Sequence, residues 1–301
     1  MHSKMEAQYY LLDVFTDKKF GGNQLAVFPQ ASGIPEGMLQ KIARELNLSE
    51  TVFLYPPETE MGDFKMRIFT PAQEMPTAGH PTIGTAHLLL NELYKPLKNT
   101  DTLVLEQKVG PINVTFLKEE QHFGLLTMQQ PNPVFGKLLQ NRELIAELLS
   151  IEEEDLMPGL PIQCISCGND FMYIPVISLE VLSRIDIRAD LLKRNASKLE
   201  TQALYIFTTA TQSEEVNTRG RMFAPELGIV EDPATGSASG PLGCYLVRHA
   251  LSDGKMINCE QGVEMGRPSK IKVQIEHENE IITKVLVGGE AVLVGEGKMF
   301  V

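Results

Sequence analysis

The chain has 301 residues, 43% of them hydrophobic, enough to bury a sizeable core in one large or two smaller domains. Its 27 basic and 39 acidic residues give a net charge of -12, which repels phosphate backbones and argues against nucleic acid as a partner. Residues 1–8 are polar and hold no signal-peptide core, and no apolar run approaches the roughly 18–20 residues that cross a bilayer, so a soluble, cytoplasmic protein with no membrane contact is expected.

Residues 8–14 alternate as a first strand, with Tyr10, Leu12 and Val14 on one face. A turn over 18–23 leads through Phe20-Gly-Gly-Asn23 into a strand at 26–28, the glycines permitting backbone angles that a side chain forbids. Pro35 opens an amphipathic helix over 35–46, where Met38, Ile42 and Leu46 recur every four residues and Asn47 ends the run. The polar triplet Ser49-Glu50-Thr51 enters a strand at 52–54, and a clear strand follows at 64–69. That strand runs into Met-Pro-Thr-Ala-Gly-His-Pro over 75–81 and then a largely apolar segment, 82–91, expected as a buried central helix. Strands at 103–106 and 112–117 close a first lobe, set at 1–118.

The second lobe, 119–301, with a last strand able to return to the first, repeats the order. A strand at 123–128 and a helix at 142–150 precede Cys167-Gly-Asn169, which leads into a strand at 172–176. Short helices at 179–183 and 191–196 and strands at 204–209 and 219–223 follow. Glu-Asp-Pro-Ala-Thr-Gly-Ser-Ala-Ser-Gly over 231–240 then precedes an apolar helix at 242–250, and strands at 270–275, 281–287 and 291–294 end the chain. Cys164, Cys167, Cys244 and Cys259 fit a reducing compartment; the one CxxC spacing has no second CxxC to complete a zinc site, so core thiols are expected and no metal.

The repetition extends to motifs. Gly22-Asn23 matches Gly168-Asn169, Arg67-x-Phe69-x-Pro71 matches Arg221-x-Phe223-x-Pro225, and Ala78-Gly79-His80 matches Thr235-Gly236-Ser237. From Asn to Arg the spacing is 44 residues in one half and 52 in the other, and from Arg to Gly it is 12 and 15. Three short matches in one order suggest two similar lobes, each presenting the start of a buried helix to a shared junction. Helix starts carry unpaired N–H groups that suit a carboxylate, so a small acid is the expected ligand. Neither turn is a phosphate loop or a dinucleotide fingerprint, and no nucleotide cofactor is implied.

Phe20-Gly-Gly-Asn-Gln-Leu-Ala-Val-Phe28, Leu48-Ser-Glu-Thr51, Arg67-Ile-Phe-Thr-Pro71, Ala78-Gly-His-Pro-Thr82, Glu231-Asp-Pro-Ala-Thr-Gly-Ser-Ala238 and Gly266-Arg-Pro-Ser269 resemble the phenazine-biosynthesis PhzF-like family along nearly the whole chain. The resemblance implies the diaminopimelate-epimerase fold: an α+β chain of two pseudo-symmetric lobes, each a curved, mostly antiparallel sheet around a central helix. It also implies an isomerase that moves a proton within a cyclic dihydro-hydroxyanthranilate by general acid/base catalysis, without metal or organic cofactor, and as a homodimer. Carried over residue by residue, it makes Glu50 the proton shuttle, with His80, Asp232 and Ser237 as supporting catalytic groups. Gly79, Thr235, Gly236 and Arg267 are expected to bind the substrate. A water-shielded carboxylate with a raised pKa can both take and return a proton.

Four of these residues have a plainer reading: Glu50 as a strand-entry carboxylate, His80 and Ser237 as helix caps, and Asp232 as a turn former before Pro233; Arg267, beside Pro268-Ser269, is the one expected to line the cleft. Related racemases use a thiol at each lobe's turn, where this chain has Ala78 and Thr235, so two-thiol epimerisation is not expected. A racemase, epimerase or lyase acting through Glu50, and a non-catalytic metabolite-binding module, stay open beside the isomerase.

Overall fold

The computed structural model describes residues 5–93, 101–118, 123–278 and 281–301. The first four residues of the polar start, and the segment 119–122 on which the expected lobe boundary borders, lie outside the described residues. The chain divides into two compact units, Met1–Gln129 with Gly288–Val301, and Gln130–Val287. Both are mixed α/β, with strands in a mostly antiparallel sheet around one buried helix.

Unit 1 begins with β1 (Glu6–Val14), β2 (Asn23–Phe28), α1 (Glu36–Leu46) and β3 (Glu50–Tyr55). It continues with β4 (Phe64–Phe69), β5 (Glu74–Met75), α2 (Gly79–His87), β6 (Thr102–Gln107), β7 (Gly110–Lys118) and β8 (Phe123–Gln130), the last residue of which belongs to unit 2. Unit 2 opens with β9 (Val134–Leu139), α3 (Arg142–Leu149), β10 (Ile162–Ser166), β11 (Asp170–Pro175), α4 (Leu179–Arg184) and α5 (Ala189–Arg194). Then come β12 (Leu204–Thr208), β13 (Thr218–Ala224), β14 (Ile229–Asp232), α6 (Gly236–Arg248), β15 (Ile257–Gln261), β16 (Ser269–Glu278) and β17 (Ile281–Gly289), the last two residues of which belong to unit 1. The final strand, β18 (Ala291–Phe300), pairs antiparallel with β1 in unit 1.

The two units follow one pairing scheme. In unit 1, β1 pairs antiparallel with β2, β2 parallel with β3, β3 antiparallel with β4, β4 antiparallel with β5 and parallel with β6, and β6 antiparallel with β7. In unit 2, β10 to β16 repeat this series strand for strand. Each unit adds one more strand beside its first: β9 pairs with β10 within unit 2, and β18 with β1 within unit 1.

The duplicated arginines occupy matching places in the two units. Arg67 on β4 bonds Glu74 on β5 at 2.7 and 2.9 Å and lies 5.1 Å from the centre of the Phe69 ring. Arg221 on β13 bonds Glu231 on β14 at 2.8 and 2.9 Å and lies 4.8 Å from the Phe223 ring. In each unit a charged, stacked fork ties a long strand to the short strand that leads into the central helix.

The helix faces follow from composition. All nine residues of α2 are buried, so the helix needs no polar side, and it lies against β1, β2, β3 and β18. On the outer side of unit 1, Phe28, Phe53 and Phe69 line up on neighbouring strands, with ring centroids 4.9 and 5.5 Å apart, under Leu39, Ile42 and Ala43 of α1. Each fully buried ring contributes roughly 2–3 kcal/mol. The turn before β2 depends on Gly22, which has φ +59 and would place a Cβ 2.3 Å from the Val14 carbonyl oxygen. Gly22→Ala is expected to lower the unfolding free energy in urea by about 2 kcal/mol, since strain and overlap act together; an unchanged urea midpoint would contradict this.

Helix bounds differ from the sequence expectation: α5 runs from Ala189 to Arg194 rather than over 191–196, Pro35 is the N-cap of α1 rather than its first residue, and the central helices differ most. The central helices begin at Gly79 and Gly236, not at residues 82 and 242, and the second ends at Arg248 rather than 250. Pro81 is only the third residue of α2, where no backbone N–H is needed inside the helix. Pro241 is deeper in α6, where it cannot donate the helical bond to Ser237 O; the carbonyls on either side accept from the sheet, Gln130 Nε2 donating to Gly236 O at 2.9 Å and the Tyr173 hydroxyl to Ala238 O at 2.6 Å.

Candidate active site

Glu50 is the first residue of β3, opposite Leu25 on the parallel strand β2. His80 is the second residue of α2, whose N-cap is the extended Ala78. The structure brings these two together: His80 Nδ1 is 3.1 Å from Glu50 Oε2, with the side chains 4% and 13% exposed. Burial pushes the imidazole down to about 3, against an opposing pull from the backbone of Gln24. The ring is therefore neutral at physiological pH, and its contact with Glu50 is a hydrogen bond rather than an ion pair. His80 Nε2 is buried with no partner at bonding geometry. His80 is not a helix cap, because Ala78 holds that position and the imidazole lies inside the first turn.

In unit 2 the corresponding turn has other chemistry. Thr235 is the N-cap of α6, yet its hydroxyl donates to Asp232 Oδ2 at 2.5 Å instead of capping the helix. Gly236 and Ser237 form the first turn, so Ser237, half-buried, is not the N-cap either. Asp232, at the end of β14, is buried. Arg267 is half-buried on the seven-residue link between β15 and β16 (262–268), where β6 and β7 are joined by only Lys108 and Val109. The link closes on itself, the Arg267 N–H donating to Gly262 O at 2.9 Å, and the Ser269 hydroxyl at the start of β16 bonds the Asp232 turn, donating to Pro233 O at 2.8 Å.

The Glu/His pair is not duplicated. Thr51 faces Phe69 in unit 1 as Leu204 faces Phe223 in unit 2, so Ala203 stands where Glu50 stands, and Ser237 stands where His80 stands. What is duplicated is the support. Gln107 ends β6 and donates to Thr82 Oγ1 at 2.7 Å; Gln261 ends β15 and donates to Thr235 Oγ1 at 2.9 Å. Thr82 Oγ1 and Ser239 Oγ each donate back to the N-cap carbonyl of their helix, Ala78 O and Thr235 O, at 2.6 and 3.0 Å. Sequence reasoning missed these four residues. The available signal was spacing: Gln107 and Gln261 are 154 residues apart, as are Arg67 and Arg221, and Thr82 and Ser239 are 157 apart, as are Ala78 and Thr235.

Neither helix start holds a thiol. All four cysteines are buried and free, and burial pushes Cys164 up to about 12 and Cys259 up to about 11, far from any role as a base at neutral pH.

A duplicated α/β unit with a buried helix at its centre defines the diaminopimelate-epimerase type of fold; a solved hydroxyproline epimerase from Agrobacterium vitis shares it at TM-score 0.71 and 11% identity, over 100% of this chain and 94% of that one. The chain belongs to the phenazine biosynthesis-like protein family (PhzC-PhzF), whose profile matches residues 12–297, and it is an isomerase of that type. It is 36% identical over 294 residues to a trans-2,3-dihydro-3-hydroxyanthranilate isomerase from Pseudomonas fluorescens, covering 96% of this chain and 98% of the relative. Among solved structures, a PhzF-family phenazine biosynthesis protein from Bacillus anthracis matches at TM-score 0.89 and 28% identity, over 99% and 100% of the two chains. Among the described residues no helix is long and apolar enough to cross a membrane.

Proposed function

We propose that this isomerase moves a proton within a small, cyclic, carboxylate-bearing metabolite, with Glu50 taking the proton from one carbon and returning it to another, and with no metal or organic cofactor. The observation that carries this reading is the 3.1 Å contact between Glu50 and the buried His80, whose imidazole is pushed by burial toward the neutral form. With Glu50 ionised, Nδ1–H donates to Oε2, which fixes the tautomer and the orientation of the carboxylate that takes the proton. The step breaks one C–H bond, shifts the double bond and forms another C–H bond, so electrons and protons balance without an oxidant. Backbone N–H groups of Gly79 and His80 in the first turn of α2 suit the charge that develops on an enolate-like oxygen. In unit 2, Asp232 and Ser237 are assigned orienting roles, and Thr235, Gly236 and Arg267 carboxylate binding.

The substrate class follows the name of the Pseudomonas fluorescens relative, so the first compound to test is trans-2,3-dihydro-3-hydroxyanthranilate, followed by other dihydroaromatic carboxylates. In deuterium oxide the wild-type chain is expected to exchange a carbon-bound proton, visible by proton NMR. Glu50→Gln should slow that exchange by at least about a hundredfold while leaving the circular dichroism spectrum unchanged. Exchange that persists in the variant overturns Glu50 as the base.

A further inference from the structure

Gln261 is completely buried and uses every hydrogen-bonding position of its amide. Its Oε1 accepts from the Thr235 backbone N–H at 3.0 Å and from the Tyr205 hydroxyl at 3.4 Å. Its Nε2 donates to the Asp232 carbonyl at 2.7 Å and to Thr235 Oγ1 at 2.9 Å. A flipped amide would set donor against donor at Thr235 N and acceptor against acceptor at Asp232 O, so one orientation alone satisfies the network.

That orientation settles the Thr235 proton. Because Thr235 Oγ1 accepts from Gln261, its own hydrogen is directed to Asp232 Oδ2, 2.5 Å away. A short bond of this polarity favours an ionised carboxylate and holds it in one rotamer. Unit 1 supplies an internal comparison. Gln107 occupies the same strand end, but it bonds Thr77 and Thr82 hydroxyls, and the position of Thr235 is taken by Ala78. The scaffold function is shared, and the link to a carboxylate exists in unit 2 alone among the described residues.

We propose that Gln261 is a positioning residue for the isomerase reaction, acting through the Thr235 hydroxyl to keep Asp232 charged and fixed in place. The proposal rests on the reading that Asp232 takes part in the reaction. Its charged neighbours are Arg221 on the paired strand β13, bonded to Glu231, and Arg267 on the 262–268 link; burial pushes the Tyr205 hydroxyl well up and the Cys259 thiol up to about 11, both outside the carboxylate range.

The test is a carbon-13 NMR titration of the full chain labelled at aspartate carboxyl groups, with Asp232 assigned by its absence from Asp232→Asn. Gln261→Met and Thr235→Val are each expected to raise the Asp232 pKa by about one unit, the worth of one hydrogen bond to a charged group. Thr235→Ser should restore the wild-type value. Gln107→Met, an equal loss of scaffold in unit 1, should leave it where it was. An Asp232 titration within a few tenths of a unit of wild type in Gln261→Met overturns the proposal; should that variant not fold, the same result in Thr235→Val does so. Deuterium exchange with Asp232→Asn is the separate control. If exchange survives there while Gln261→Met still moves the Asp232 titration, the catalytic part for Asp232 fails and the positioning of its carboxylate by Gln261 stands.

Discussion

Lowering the pH from 7 to 4 is expected to remove about 3 kcal/mol of folding stability through His80 alone. The sign follows from where the proton binds. The folded ring is held down at about 3, from an ordinary value of 6.5, first by burial and in spite of the Gln24 backbone. Above pH 6.5 both folded and unfolded chains carry a neutral ring, and the site's contribution is fully present. Between 6.5 and 3 the unfolded chain gains a proton that the folded chain refuses, so stability falls with pH, toward a limit of about 5 kcal/mol. Carboxylates such as Glu36, held low by Arg67, and Asp155, held low by Glu152 and Arg184 against burial, add losses only at the acidic end of this window. Urea unfolding at a series of pH values would isolate the histidine, because His80→Gln should flatten the slope between 6.5 and 4. Parallel slopes in wild type and variant would mean that folding does not hold the imidazole in its neutral form, and would remove the neutral imidazole from the proposed proton transfer.

The fold was readable wherever burial imposes a period. Alternation in residues 64–69 and the all-apolar run after Pro81 each specify an element without help from the rest of the chain. Prolines misled the reading of helix starts, because a sequence shows the missing N–H of Pro81 and Pro241 but not that the first is unneeded and that buried Gln130 and Tyr173 side chains serve the carbonyls near the second. The strands β5, β9, β10, β14 and β15 were absent from the reading for a different reason: each has six residues or fewer, too short to show a period, and takes its definition from the strands it pairs with, as β15 does from the parallel β13. The site divides in the same way. Glu50 and His80 sit in recognisable strings, whereas Gln107 and Gln261 gain meaning only when strand pairing brings a strand end to a helix start.

Arg221→Met is expected to destabilise the chain by about 3–5 kcal/mol, well beyond the roughly 1–2 kcal/mol expected for Arg67→Met, although the two arginines are counterparts. Both hold a glutamate with two bonds, but the remaining donors differ. Arg221 turns Nη1 to the carbonyls of Leu182 and Ile185, each at 3.0 Å, where α4 ends, and the residue is 8% exposed. Arg67 instead reaches Glu36 at 2.6 and 2.8 Å, a side chain 74% exposed. Removing Arg67 releases carboxylates that water can reach. Removing Arg221 strands a Glu231 side chain only 15% exposed, together with carbonyls at the end of a helix, and water cannot fully repair either loss. The double variant Arg221→Met, Glu231→Gln should recover a good part of the stability, because no charge is left unpaired. Equal urea midpoints for the two single variants would contradict this difference between units. Glu231 directly precedes Asp232, so Arg221→Met should also loosen the turn that carries Thr235 and Gln261's partners, and the Asp232 titration should broaden in that variant while remaining sharp in Arg67→Met.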